Sequence, residues 1–511
     1  MNIRTKLLIT ALATGFIPVT IIGSFAFLES QNAFLNQAFS HLESVRDIKK
    51  TQLEAFFAER ESDMHILLDM VATLKQNAFQ KLQAVQNSQK AQLERYFQER
   101  LNHIRVLSQN HAIIEALEQY QPIEQAHKHK TDAHDHKAIF SDTLENQLGH
   151  ELKQYQQAYG YDDLFLITKT GQIVYTIKQG TELGRNVLKG PLKNSHLNQA
   201  FKKGLHGIAI QDFAPYAPAN NQYVAFITAP IFHDDELVGV WAFSLLPDMI
   251  STIIQKPEGM GETGESYLVG QWDDQTRYRS NRVVKGKEAL IGYKKSGADI
   301  DKALMGQSGI AVKTGSTGDL ELGAYAPLHI PGLNWCIITT INLKEVLVPK
   351  LANEQEDFFA KYIRQYDYYD LFLIHPEGKI FYSVEHESDY LTNILTGQYA
   401  TSGFSQLIRH VLQTKMFEIS DFAPYAPSND EPAAFIAQPL LYNGEIELVL
   451  ALQFSDHATN NIMQQRAGMG KSGETYLVGS DKLMRSNSFL DPTDHSIIAS
   501  FANPTLGAVD T

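Results

Sequence analysis

Hydrophobic and polar positions follow three different periods along the 511-residue chain. The first has no charged interruption: Leu7–Leu28 contains no charged side chain. At ~1.5 Å rise per residue a helix of that run reaches about 33 Å, enough to cross a bilayer core. Arg4 and Lys6 precede it and Glu29 follows. The positive-inside rule then places the N-terminus in the cytoplasm and the rest outside. The run exceeds the apolar core of a cleaved signal peptide. The expectation is a cytoplasmic tail over 1–6, an uncleaved transmembrane helix over 7–28, and one inner-membrane span with the bulk periplasmic or extracellular.

The second period is helical. Between Ser24 and Leu148 there is no glycine, and Pro122 is the only proline. Both residues destabilise helix interiors, so their scarcity predicts long helices. Leu53, Phe57, Met64, Leu67, Val71 and Leu74 form an a/d seam interrupted at Arg60. About forty residues on, Leu93, Phe97, Ile104 and Leu107 repeat it around Arg100. Gln52-Leu53-Glu54 and Glu59-Arg60 match Gln92-Leu93-Glu94 and Glu99-Arg100. A helical stalk and linker over 29–147 follows, read as a coiled coil that joins two copies into a homodimer.

The third period is that of short strands, and it comes twice. Asp163-Leu164-Phe165-Leu166-Ile167 recurs as Asp370-Leu371-Phe372-Leu373-Ile374. Asp212-Phe213-Ala214-Pro215-Tyr216-Ala217-Pro218 recurs from Asp421 to Pro427. The segment from Gly259 to Gly270 recurs from Gly468 to Gly479, and Arg279-Ser280-Asn281 as Arg485-Ser486-Asn487. Order and spacing are kept, which marks an internal duplication. Each copy reads as α+β. A helix (148–158; 352–365) precedes a hairpin (Leu164–Ile167 with Ile173–Ile177; Leu371–Ile374 with Ile380–Val384). A second helix follows (His196–Lys203; Phe404–Leu412), then further strands (Tyr223–Ile231 and Leu237–Leu245; Ala433–Pro439 and Ile446–Phe454). A second sheet opens at Ser266–Val269 or Thr475–Val478. In the first copy Ile310–Lys313, Leu320–Ala326 and Leu333–Ile341 close it.

Composition narrows the classes. Hydrophobic residues make up 43% and charged residues 20%, enough to bury cores. A net charge of −14 with no basic tract argues against nucleic acid as a partner. The single cysteine, Cys336, excludes an intrachain disulfide and multi-thiolate metal sites, and its apolar surroundings place it in a buried strand. His127, His129, His134 and His136 alternate with Lys128, Lys130 and Lys137, whose charge opposes cation binding, so a polar linker is expected and no metal.

The repeated motifs resemble the double Cache sensor regions of bacterial transmembrane receptors, such as methyl-accepting chemotaxis proteins and sensor histidine kinases. The Asp-Phe-Ala-Pro-Tyr-Ala-Pro segments are similar to parts of membrane-distal modules. The Gly-x-Gly-x-Thr/Ser-Gly-Glu-x-Tyr-Leu-Val-Gly segments are similar to the starts of membrane-proximal ones. The resemblance implies PAS-like modules with antiparallel sheets: a first unit over 148–345 (distal 159–250, proximal 262–345), and a second over 346–511 with a truncated proximal module. Ser308–Ile341 has no counterpart in the second unit, so a fragment is expected, with any output domain beyond residue 511.

The resemblance also implies a small ligand, an amino acid or small organic metabolite, in each distal module. From the residues, Asp212 and Tyr216, and their counterparts Asp421 and Tyr425, sit in a Pro-containing loop beside strands. An acid and a phenol hold an ammonium group by charge and hydrogen bond. Tyr175 and Tyr382 in matching strands are candidates for the same pockets. The alternative is that these groups only lock the loop. Arg185 is matched by Thr392, so a shared arginine clamp is not expected. Gly470-Lys471-Ser472 runs into a strand, unlike a phosphate loop. Arg279-Ser280-Asn281 is read as a strand end. No catalytic constellation or cofactor motif emerges. The expected function is an extracytoplasmic sensor of the chemotaxis-receptor type. Its alternatives are the sensor of a histidine kinase or nucleotide cyclase, or a non-signalling membrane-anchored scaffold.

Overall fold

The computed structural model describes residues 2–126, 144–255, 259–272, 274–284, 289–350 and 354–504; the linker histidines lie outside them. Two compact units are formed, Thr73–Leu347 and Met1–Ala72 with Val348–Thr511. The helix α1 (Ile3–Ser108) contributes residues to both.

In the Thr73–Leu347 unit, α2 (His111–Ala126) and α3 (His150–Tyr159) precede the first sheet. Gly160 ends α3 in the left-handed conformation, and its N–H caps the Gln156 carbonyl. The hairpin of β1 (Asp163–Thr168) and β2 (Ile173–Thr176) leads to α4 (His196–Gly204), capped by Ser195. The long strands β3 (Ala209–Tyr216), β4 (Gln222–His233) and β5 (Glu236–Leu245) complete an antiparallel sheet of order β2-β1-β5-β4-β3. After α5 (Asp248–Ile254), a second sheet repeats the plan: β6 (Glu265–Trp272), β7 (Gln275–Tyr278), α6 (Ala298–Leu304), β8 (Gly309–Thr314), β9 (Leu320–Ile330) and β10 (Leu333–Asn342), in the order β7-β6-β10-β9-β8. A short α7 (Leu343–Leu347) closes the unit. Burial of β1 and β2 is continuous, because helices cover one face and the core of α1 and α2 residues covers the other.

That second cover is the a/d seam. Leu93, Phe97 and Ile104 are buried in one core with Trp241, Phe243 and Trp335. Phe97 meets Trp335 edge-on at 5.7 Å. Each such side chain contributes about 1.5–3 kcal/mol by burial. The seam expected to face a partner helix therefore faces the sheets of its own unit. Arg100, at the seam's interruption, lies 3.7 Å from the Tyr96 ring and donates to the Tyr159 carbonyl at 2.8 Å.

In the other unit, α8 (Phe358–Tyr366) is capped by Asp357 and leads into β11 (Tyr368–Ile374) and β12 (Ile380–Ser383). Next come α9 (Gly403–Thr414), β13 (Glu418–Ile419), β14 (Ala423–Tyr425), β15 (Glu431–Ala433), β16 (Phe435–Tyr442), β17 (Glu445–Phe454), α10 (His457–Met463) and α11 (Ile497–Ala502). The sheet order β12-β11-β17-β16-β13 repeats that of the first. Here Arg60 takes the part of Arg100: its guanidinium lies 5.5 Å from the ring of Tyr368, the counterpart of Tyr161. Thr475–Val478, expected as a strand, forms only the single bridge Val478↔Met484. The physical reason is a missing neighbour. In the first unit β6 is held on its other edge by β10, and among the described residues nothing pairs with that edge here. A cleft of about 600 Å³ lined by Leu53, Phe57, Met463 and Leu477 lies alongside.

Candidate ligand site and module junction

The six candidate residues separate into two places. Asp212 sits in β3, not in a loop, at a register shift between Gln211 and Ala214. The bulge turns its carboxylate to the second sheet, where Oδ2 accepts from Arg279 Nε at 2.7 Å and Trp335 Nε1 at 3.1 Å. Oδ1 accepts the Phe213 N–H, and the Asp212 carbonyl is bonded by His196. Asp421 lies between β13 and β14 and makes the same junction. Its Oδ1 and Oδ2 accept from Arg485 Nε and Nη2 at 2.7 and 2.8 Å. Neighbouring motif residues act alike in both copies. Ser280 Oγ accepts the Leu268 N–H and Ser486 Oγ the Leu477 N–H. Asn281 Oδ1 accepts from Ile291, and Asn487 Oδ1 from Ile497. Gly270 and Gly479 make room for the arginines: a Cβ would lie 3.0 Å from Arg279 Nε and 2.4 Å from Arg485 Nη2. The repeated motifs thus build an ion-paired junction between the two modules of a unit. Their arginines, read as strand ends, are its donors.

The tyrosines belong to the distal modules. Tyr175 in β2 is buried and donates to Glu145 Oε2 at 2.7 Å. Glu145 also pairs with Lys153, which holds its carboxyl below the usual range. Tyr382 in β12 donates to the Asp357 carboxylate at 2.8 Å. Tyr216 ends β3 with its hydroxyl buried, and Glu182 and Asp163 are the carboxylates acting on it. Tyr425 donates to Asp389 Oδ2 at 2.5 Å. Burial raises all four phenols far above their ordinary range, and the carboxylates reinforce the rise.

Two further aspartates, Asp163 and Asp370, open the repeated Asp-Leu-Phe-Leu-Ile motif. Asp163 Oδ1 accepts the N–H groups of Leu164, Ile177 and Lys178. Asp370 Oδ1 accepts those of Leu371, Val384 and Glu385. They bind the end of the hairpin back to its start. Burial pushes both up to about 7, against the pull of those bonds. Asp370 and Asp389 are fully buried; Asp389 raises Asp370 further, and Glu387 adds to the rise that burial gives Asp389. Asp370 Oδ2 and Asp389 Oδ1 have no hydrogen-bond partner. An acid kept at position 163 and 370, and an acid at 182 and 389, was the available sequence signal. No cluster of histidine, cysteine and carboxylates suited to a metal occurs among the described residues.

Three five-stranded antiparallel sheets of one strand plan, two in the Thr73–Leu347 unit and one in the other, each packed against helices, are PAS-like modules. A family model for the Cache domain, of the double type, matches residues 70–350. The chain belongs to that family of ligand-binding sensor domains. No curated protein matches it. Solved structures include the ligand-binding domain of the Pseudomonas aeruginosa amino acid chemoreceptor PctB with L-Gln. It shares 17% identity at a TM-score of 0.34, over 53% of this chain and 94% of that one. The Pseudomonas fluorescens chemoreceptor CtaA with L-serine shares 14% at 0.34, over 52% and 96%. The Campylobacter jejuni chemoreceptor Tlp3 with 4-methylisoleucine shares 12% at 0.37, over 54% and 96%.

Proposed function

We propose that this chain is the extracytoplasmic ligand-sensing region of a bacterial transmembrane receptor of the chemotaxis type, and that its distal modules take a small ammonium-bearing molecule such as an amino acid. The observation that carries this reading is the pair of unpartnered carboxylate oxygens, Asp370 Oδ2 and Asp389 Oδ1, buried in one tyrosine-lined module. A buried acceptor without a donor costs about 1–3 kcal/mol, which an arriving ammonium offsets. In the first unit Asp163, Glu182, Tyr175 and Tyr216 supply the corresponding chemistry. Asp212 and Asp421 act beside the pocket, coupling it to the proximal module, since their oxygens already serve Arg279 and Arg485.

The topology rests on the apolar stretch of α1, whose most hydrophobic window is wholly unburied. Dimerisation would use Phe34, Leu35, Phe39 and Leu42, which are exposed, while the later seam is occupied. Ligand closure of a distal module then biases α1 packing, by no more than the ligand's difference in affinity between the two states.

The test is calorimetric titration of the full chain in nanodiscs with the common amino acids and simple amines. Saturable binding by wild type, weakened at least about tenfold in Asp389→Asn, is expected. No binding of any amine by a folded wild type would sink the reading.

A further inference from the structure

The second sheet of the first unit holds a cavity of about 600 Å³, beside another of about 330 Å³. Lys295, Ser296 and Glu321 line both, so the two volumes adjoin. They lie in the proximal module, apart from the tyrosine–carboxylate clusters of the distal sheet.

Among the described residues the charges around them do not balance. Asp299 is paired with Lys313. Arg282 is committed to Glu265 at 2.5 Å, to Glu321 at 4.0 Å and to the Tyr267 ring at 4.3 Å. Asp319 is exposed on the rim and accepts from Thr317. That leaves Lys294 on the rim, Lys302 at the far end and Lys295 half-buried where the volumes meet. Lys295 makes no ion pair with a described carboxylate; Asp299 and Glu321 act on it from farther off. Burial lowers its pKa, and Lys313 and Arg282 add to the fall. An anion at its ammonium would reverse both effects. Ser296 adds a hydroxyl donor, while Tyr278 and Val284 give one apolar wall.

We propose that this cavity is a second ligand site, for a small organic monocarboxylate whose carboxylate meets Lys295 and the hydroxyl of Ser296 and whose short apolar tail lies on Tyr278 and Val284. A monoanion fits better than a phosphate, because no arginine is free to grip a dianion bidentately. The site is independent of the distal reading, so each can fail alone.

The full chain in nanodiscs is titrated with propionate, butyrate and benzoate. A parallel titration uses wild type carrying ¹³C-methylated lysines, read by NMR. The expected result is saturable binding of one acid, with the Lys295 methyl signal moving. Lys295→Gln should weaken that binding at least about tenfold, while Asp389→Asn leaves it unchanged. No saturable binding up to millimolar acid, or binding with Lys295 silent, overturns the proposal, and the NMR arm decides it even if Lys295→Gln misfolds. Binding lost in Asp389→Asn but kept in Lys295→Gln would assign the acid to the distal module and also overturn it.

Discussion

Arg485 grips Asp421 through two hydrogen bonds of 2.7 and 2.8 Å, and Arg279 holds Asp212 at the corresponding place through one of 2.7 Å plus the indole N–H of Trp335. The chemistry is shared but the surroundings are not. Arg279 is 1% and Asp212 23% exposed, whereas Asp421 is 65% exposed beside an Arg485 at 7%.

Removing one partner of a buried ion pair strands the other charge, which costs about 3–5 kcal/mol. An exposed partner is rescued by water and the loss falls to about 1 kcal/mol or less. Arg279→Met, which strands the largely buried Asp212, should therefore destabilise its unit by about 3 kcal/mol, and Arg485→Met, which strands the exposed Asp421, its own by less than about 1 kcal/mol. Urea unfolding with a probe in each unit measures both. Equal losses would show that burial does not set the strength of the junction.

The stalk gives a second contrast. Phe97 is wholly buried against Trp335, while its counterpart Phe57 is half-buried, lines an open cleft and meets Phe454 at 6.2 Å. Phe97→Ala should cost about 3–5 kcal/mol, the usual loss for a large aromatic in a packed core. Phe57→Ala should cost well under half of that, since part of its surface is already wet. Thermal unfolding of the two variants ranks them, and the reverse order would refute the packing assigned to the seam.

These two contrasts mark what could be read from sequence. The duplicated motifs and their apolar runs located the β1–β2 and β11–β12 hairpins and the long strands β4, β5, β9 and β10, because apolar runs and glycine turns are local, whereas β3 read as a loop. The junction was half visible: Asp212 and Arg279 stood in separate repeated motifs, and nothing local says that a bulge in β3 turns one toward the other. The orientation of the a/d seam was not legible, since a period of 3.5 records that a helix face is apolar and not what covers it. Asp163 and Asp370 escaped notice because a hairpin-locking role and a ligand role leave the same single acid in the sequence.

Asp370 predicts an unusual pH dependence. Its native pKa is raised from 3.8 to about 7, so between those values the native state holds a proton that the unfolded chain has released. Stability then falls as pH rises from about 4 to 7, by up to about 1.4 kcal/mol per unit. Asp370→Asn keeps an oxygen for the three backbone donors but cannot titrate. Its stability should decline less steeply over that window than wild type's, the remaining slope coming from Asp389 and, in the other unit, Asp163. A wild-type profile that rises through the window would contradict the assignment.

The same proton must appear in ligand binding. A cationic amine favours the ionised carboxylate, so its arrival expels the proton from Asp370 or from Asp389, whose pKa burial also raises. Tyr382 and Tyr425 stay protonated throughout, far above their ordinary range, and act as fixed donors to Asp357 and Asp389. Glu387 faces the cluster through its action on both Asp389 and Tyr425. Amine affinity should therefore rise as pH increases from about 6 to 8, approaching tenfold per unit below the aspartate pKa where one proton is displaced. Calorimetry in two buffers of different ionisation enthalpy counts that proton directly. Near pH 6 the heats should differ by close to one proton's worth, and in Asp370→Asn the difference should shrink. Heats that are identical in the two buffers, with wild type binding amine normally, would mean that these buried acids are already ionised in the empty site.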